Sequence, residues 1–247
     1  MTFHAAAYAA ASSTAGNVPL TPALDDELTI RGTGYFLTEP WQVPFVFATG
    51  NTLIQALLVS PTLRRVTPPD LFPLNGTLIP GDDSNIVDYR GNPFQLAENE
   101  SLEVLHDDSA GTTVDAAIVG LSKRHIPAPA GRIWTIRATL VGTAVAITWT
   151  ALTATFTEDL PNGRYAVVGL DCFGATSICM RMIFKGQNER PGCICKTNAE
   201  MRAPLMFGKG RLGMWGEFDN QSFPNFEVFA SAGDTAQTIL MDIVKIS

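Results

Sequence analysis

The sequence predicts an all-β protein of two tandem antiparallel sandwiches behind an extended N-terminal arm. Three observations lead there. First, segments rich in β-branched and aromatic residues recur along the chain with Gly, Pro and Asn between them, and no long segment shows a capped helical stripe. Second, the later half echoes the earlier one. Leu28-Thr29-Ile30-Arg31-Gly32-Thr33 returns as Trp134-Thr135-Ile136-Arg137-Ala138-Thr139, and Leu102-Glu103-Val104-Leu105 returns as Phe226-Glu227-Val228-Phe229. Each second echo leads through a small polar stretch into an apolar strand, Val114 to Leu121 and Ile239 to Ile246. A repeat this long points to duplicated domains, because solenoid units run to only about 20–50 residues. Third, His125-Ile126-Pro127-Ala128-Pro129-Ala130-Gly131 lies between the halves, and its Pro-x-Pro makes a stiff, extended linker. The expected division is an arm over 1–24, a first β unit over 25–125 and a second over 126–247.

Residues 1–24 are Ala, Ser, Thr, Pro and Gly with little to bury, so they read as an arm; Ala5 to Ala11 has the composition of a short helix. Leu28 to Leu37 alternates as a strand and ends before Pro40. Pro44 to Phe47 is a short strand, and Thr52 to Val59 is apolar enough for a strand buried on both faces or a short helix. Pro61, Pro68-Pro69, Pro73 and Pro80-Gly81-Asp82-Asp83 then punctuate an irregular region. Strands follow at Ile133 to Val141, Ala144 to Phe156, Tyr165 to Leu170, Ile178 to Phe184, Phe226 to Phe229 and Ile239 to Ile246. Short strands at this spacing, with few helices, are those of sandwiches or jelly rolls.

Composition narrows the function. Of 247 residues 46% are apolar and 17% charged, fewer charges than soluble domains usually carry, which suits a chain that covers much of its surface with neighbours. The net charge of −7 argues against coating nucleic acid, which needs clustered cations. A basic n-region is missing before Arg31, and no window is apolar enough to span a bilayer, so synthesis in a cytosol is expected. The four cysteines, all between Cys172 and Cys195, lack paired zinc knuckles and are expected to be reduced strand residues. A turn at Gly174-Ala175-Thr176-Ser177 sets Cys172 opposite Cys179, near the range of a disulfide.

No constellation carries chemistry. Gly208-Lys209-Gly210-Arg211-Leu212-Gly213 fits a dinucleotide-binding fingerprint, but Met214-Trp215-Gly216-Glu217 after it makes a poor helix, so a glycine-rich hairpin or bulge is expected. His4 lies in the arm, His106 opens a turn and His125 belongs to the linker, so no imidazole base is expected. Asp25-Asp26-Glu27, Asp82-Asp83 and Asp107-Asp108 are carboxylate pairs that bind calcium in other settings, but in a β protein they are turn and cap residues. The reading assigns no catalytic residue, no cofactor and no metal. Trp41, Phe45, Phe72 and Phe223, set among prolines, are the candidate subunit-interface residues.

Against that background a family likeness stands out. Gly34-Tyr35-Phe36-Leu37-Thr38, Ser60-Pro61-Thr62-Leu63-Arg64-Arg65-Val66, Asn92-Pro93-Phe94-Gln95-Leu96, Gly163 to Gly169, Glu189-Arg190-Pro191-Gly192 and Met241-Asp242-Ile243-Val244-Lys245 carry it. Together they resemble the double jelly-roll major capsid proteins of tailless icosahedral bacteriophages, over roughly residues 27–246. The resemblance implies two eight-stranded jelly rolls, homotrimers forming pseudo-hexagonal capsomers, and an icosahedral virion shell assembled in the host cytoplasm. It also implies neighbouring capsomers and a vertex protein as partners, contact of the arm with neighbouring subunits or with an internal membrane, and no specific nucleic-acid binding. Two other classes remain open: a single β-sandwich that binds carbohydrate or forms a spike, with one continuous core, and a β-sandwich hydrolase, with a perturbed carboxylate in a polar pocket.

Overall fold

The structure is a computed structural model that describes residues 2–11, 14–50, 52–66, 86–110, 114–196, 205–235 and 237–247. The described chain is almost wholly β, and its contacts divide it into two compact units: Ala6–Lys123, and Arg124–Ser247 joined by Met1–Ala5.

The N-terminal unit is a sandwich of two sheets. One runs in the order β3 (Thr21–Pro22), β1 (Thr2–Ala11), β11 (Val114–Arg124), β6 (Trp41–Thr49) and β8 (Ile86–Asp88), with β9 (Phe94–Leu96) also on β6. The other runs β2 (Val18–Pro19), β10 (Glu100–Asp108), β5 (Gly34–Leu37) and β4 (Thr29–Arg31), with β7 (Leu53–Val59) on β10. The core between them draws Tyr8, Val46 and Val119 from the first sheet and Tyr35, Leu58 and Val104 from the second. Its tyrosines keep their hydroxyls satisfied: Tyr8 donates to the Leu102 carbonyl at 2.7 Å and Tyr35 to that of Ala23 at 2.6 Å.

Four expectations are corrected here. Residues 2–11 are not an arm, nor is Ala5 to Ala11 a helix: β1 is buried, with Phe3, Ala5, Ala6, Ala7 and Tyr8 inaccessible to solvent. Packing overrides propensity, because alanines pack closely on a flat sheet and β1 takes its backbone partners from two neighbours. The short strand at Pro44 extends to nine residues. Gly120 faces Phe45 and Ser122 faces Gln42, so Val43-Pro44 forms a bulge in which proline's missing N–H is no loss. A helix, α1 (Pro61–Val66), stands where irregular chain was expected; Ser60 Oγ caps it by accepting the Leu63 N–H at 3.2 Å, and Pro61 occupies its first turn. Residues 67–85, which hold Phe72 and Asp82-Asp83, lie outside the described residues.

Among its described residues the C-terminal unit has eight strands: β12 (Ile133–Val141), β13 (Thr150–Phe156), β14 (Arg164–Phe173), β15 (Ser177–Ile183), β16 (Gly192–Lys196), β17 (Gly216–Asp219), β18 (Asn225–Ala230) and β19 (Gln237–Lys245). They pair in a nest, first with last and inward: β12 with β19, β13 with β18, β14 with β17 and β15 with β16. β19 also pairs with β14 and β18 with β15. Contacts of β12 with β13 and of β14 with β16 tie the two sets together. This nesting is consistent with a jelly roll, a long antiparallel hairpin wrapped round a core.

The N-terminal unit follows the same order among its described strands: β1 beside β11, β5 on β10, β6 on β8 and β9, then β11 on β6 and β10 on β7. The second sequence echo therefore falls on equivalent strands, Glu103-Val104 in β10 and Glu227-Val228 in β18. The first echo does not. Thr29-Ile30-Arg31 forms β4, half of a tight hairpin with β5, whereas Thr135-Ile136-Arg137 lies in β12 against β19.

Candidate functional site

Of the expected interface residues, Trp41 and Phe45 belong to the N-terminal unit and Phe223 to the C-terminal unit. Trp41 is 6% exposed at the start of β6, with the Lys123 ammonium 4.6 Å from its ring centre, and Phe45 is 1% exposed under Gly120. Both are internal, because the proline-interrupted segment that resembles a loop is a strand. Phe223 is half-buried, stacked on Phe156 with ring centres 4.1 Å apart and close to Phe218 at 5.0 Å.

Phe223 borders a groove that follows from how β13 changes partners. Thr150, Ala151 and Leu152 pair with Val228, Glu227 and Phe226 of β18, whereas Thr153 to Phe156 pair with Val141 to Ala138 of β12. Where the two neighbours diverge, a groove of about 450 Å³ opens, lined among others by Phe156, Ile183, Phe223 and Phe226.

The turn that leads into β13 presents apolar side chains to solvent. Val141 is 60% and Val145 56% exposed, and Ile147 beside them is half-buried. No charged residue occurs between Arg137 and Glu158, so tip and strand together are free of charge. The tip is held in shape: Ala144 N–H donates to the Asp234 carbonyl at 2.7 Å, Ile147 N–H to that of Ala230 at 2.8 Å, and Val145 N–H to Thr150 Oγ1 at 2.9 Å. Ile147 has φ +57°, which a β-branched residue adopts only under constraint, at a cost of about 1–3 kcal/mol. Asp234 anchors the neighbouring turn, its Oδ2 accepting from Thr176 N–H (3.0 Å), Ser177 N–H (3.1 Å) and Ser177 Oγ (2.8 Å). At the far end of the run, burial raises the Glu158 carboxyl, but hydrogen bonds from Thr157 and the Arg137 N–H, the latter at 2.9 Å, leave it below its ordinary value.

Residues with chemical potential are placed elsewhere. His106 and Asp108 are buried in β10, not in a turn; the strand's period of two carries Leu102, Val104, His106 and Asp108 onto one face. His106 Nδ1 meets Asp115 Oδ2 at 2.6 Å. Burial pushes the Asp115 carboxyl up, with Asp108 adding to the rise and the His106 hydrogen bond opposing it. Asp25 caps a turn by accepting the Glu27 and Leu28 N–H groups. His4 is buried in β1 and accepts the Arg190 N–H at 3.3 Å.

The glycine-rich segment Gly208 to Gly213 follows a 3-10 turn at Leu205–Phe207 and leads into β17, so no helix starts from it. Asp242 pins it, accepting Lys209 N–H at 2.9 Å and Lys209 Nζ at 2.5 Å. Cys172 is disulfide-bonded to Cys195 across β14 and β16, correcting both the reduced state and the Cys179 pairing; Cys179 and Cys193 are buried thiols. Among the described residues no group of three or more His, Cys, Asp or Glu side chains is arranged to hold a metal ion.

No protein-family model matches the chain, and no curated protein matches it. Among solved structures the chain is similar to the major capsid protein P2 from bacteriophage PM2, over 98% of each chain, at 11% identity and a TM-score of 0.25. A superposition that loose carries no weight for fold or function.

Proposed function

We propose that this chain is a structural capsid protein built of two jelly rolls, and that it assembles as a homotrimer into the shell of an icosahedral virion. The observation that carries the reading is the shared strand order of the two units, nested from first-with-last inward. Jelly rolls of this kind form viral capsid domains as well as lectins and cupins. Two like units in one chain favour the capsid use, since three copies then present six similar modules, a pseudo-hexagonal tile from threefold symmetry. The low charge fits a protein covered by its neighbours, and the carboxylates, histidines and cysteines already placed serve the fold. On this reading the chain is not an enzyme and requires no cofactor. The −7 charge leaves genome binding to other components.

Mass measurement and electron microscopy of the purified chain test the proposal. Trimers or closed particles are expected at about 10 μM, where an interface of the obligate size, roughly 2,000 Å² or more, holds subunits together. A stable monomer that binds or turns over a sugar overturns it.

A further inference from the structure

We propose that Asn162 is a self-modifying site, whose side chain cyclises onto the Gly163 nitrogen and is then hydrolysed to aspartate or isoaspartate. The reaction does not depend on what the chain assembles into. Three adjacent strands of the C-terminal unit, β17, β14 and β19, assemble the groups it needs.

Pairing fixes where those groups lie. Arg164 of β14 stands opposite Asp219 of β17 on one side, and Tyr165 stands opposite Lys245 of β19 on the other. Asn162-Gly163 precedes β14, Asn220 follows β17 and Lys245 ends β19, so all meet at one end of the sheet. Only glycine fits after Asn162. Gly163 has φ +148°, and an added Cβ would overlap the Ser247 carbonyl oxygen and lie 2.7 Å from Lys245 Cε. The missing Cβ also leaves the Gly163 nitrogen unhindered as a nucleophile. Asn162 itself is exposed to the water that the second step consumes.

The contacts match the demands of the chemistry. Cyclisation requires the Gly163 N–H to lose its proton, its nitrogen to reach Asn162 Cγ, and Asn162 Oδ1 to carry the charge that develops there. The Lys245 ammonium donates to the Asn162 main-chain carbonyl at 2.9 Å. That carbonyl shares its peptide unit with the Gly163 nitrogen, so the ammonium favours the deprotonated amide. The Asn220 side chain holds both reacting groups: its Oδ1 accepts the Gly163 N–H at 3.2 Å, and its Nδ2 donates to Asn162 Oδ1 at 3.2 Å. One amide thus keeps nucleophile and electrophile together and supplies a donor where the oxyanion develops. The Asn220 N–H donates to the Gly163 carbonyl, also at 3.2 Å, and so fixes Asn220 in place.

The reaction needs no co-reactant but water. The Gly163 nitrogen bonds to Asn162 Cγ, the Cγ–Nδ2 bond breaks, and the side-chain nitrogen leaves as ammonia with the proton that Gly163 gives up. Water then opens the cyclic imide. Addition at Cγ restores the ordinary backbone with an aspartate, and addition at the main-chain carbon leaves isoaspartate. Either product gives the chain a further negative charge.

The test incubates the folded full chain in mildly alkaline buffer and follows the tryptic peptide 138–164 by mass spectrometry. Asn162 is the sole asparagine in that peptide, which separates it from Asn75-Gly76, the other Asn-Gly pair of the sequence. The peptide should gain the mass change of amide to acid, with isoaspartate among the products. Lys245→Met, which drops the ammonium, and Asn220→Asp, which keeps the acceptor but loses the donor, should each slow conversion by about threefold or more, as the loss of one hydrogen bond to a developing charge implies. Lys245→Arg keeps the cation and should keep the wild-type rate. In urea all four proteins should convert alike, because the contacts are gone. A folded chain that stays an amide at Asn162, or Lys245→Met and Asn220→Asp variants that convert as fast as the wild type, overturns the proposal.

Discussion

His106 Nδ1 and Asp115 Oδ2 are 2.6 Å apart, and both side chains are shut away from solvent between β10 and β11. Burial raises the Asp115 carboxyl, so the folded chain holds that proton more tightly than the unfolded one does. The stability this contributes is complete below the ordinary carboxylate value, about 3.9, and is lost as pH rises through the raised value. Asp115→Asn keeps an acceptor for His106 but cannot ionise. Its melting temperature should therefore fall less steeply than that of the wild type as pH rises from about 4 toward neutrality. Parallel curves for the two proteins would show that Asp115 does not titrate within the fold.

Gly120 pairs with Phe45, and the phenyl ring covers the glycine so closely that an added Cβ would lie 2.5 Å from Cε1. Both residues are interior, so the ring has little room to move. Gly120→Ala should destabilise the chain by about 1–3 kcal/mol, the usual result of overpacking. Gly91→Ala, whose Cβ meets nothing within 4 Å, should stay within about 0.5 kcal/mol of the wild type. Denaturant melts of the two variants check the pair, and equal stabilities would mean that Phe45 is not seated over Gly120.

Among the cysteines, Cys172 and Cys195 form the disulfide, while burial pushes the thiols of Cys179 and Cys193 up. Peptide mapping of the unreduced protein should recover Cys172 joined to Cys195. Iodoacetamide should label Cys179 and Cys193 only after unfolding, because the thiolate is the reactive form. The bridge spans 23 positions, so reduction should remove about 3 kcal/mol and lower the melting temperature. Rapid native labelling of Cys193 would contradict its burial.

Strands rich in valine, isoleucine and aromatics were legible because burial on a sheet demands those residues, and Ile133–Val141 matches its expected bounds. Thr2–Ala11 was not, since alanine has no strong strand signature and its burial depends on strands distant in sequence. His106 and Asp108 were misread as turn residues because their polarity outweighed the period of two that Leu102 and Val104 establish. Of the candidate interface, Phe223 was named from sequence. The Val141–Val145 tip was missed, and its signal was the charge-free run from Arg137 to Glu158.

The surviving echo yields the sharpest comparison between the two units. Glu227 faces Arg181 across β18 and β15, its Oε2 accepting Nε–H at 2.6 Å, and the guanidinium lies 4.1 Å from the Trp149 ring centre. The Arg181 side chain is 2% exposed and that of Glu227 12%, so neutralising the acid removes a charged acceptor from a buried cation. Glu103, at the equivalent place in β10, is half-buried and faces Val59. Glu227→Gln should therefore cost about 3 kcal/mol or more, the range for breaking a buried pair, whereas Glu103→Gln should change stability by less than about 1 kcal/mol. Urea unfolding of both variants reads the difference directly. If Glu227→Gln proves as mild as Glu103→Gln, the Arg181–Glu227 pair is not what holds β15 against β18.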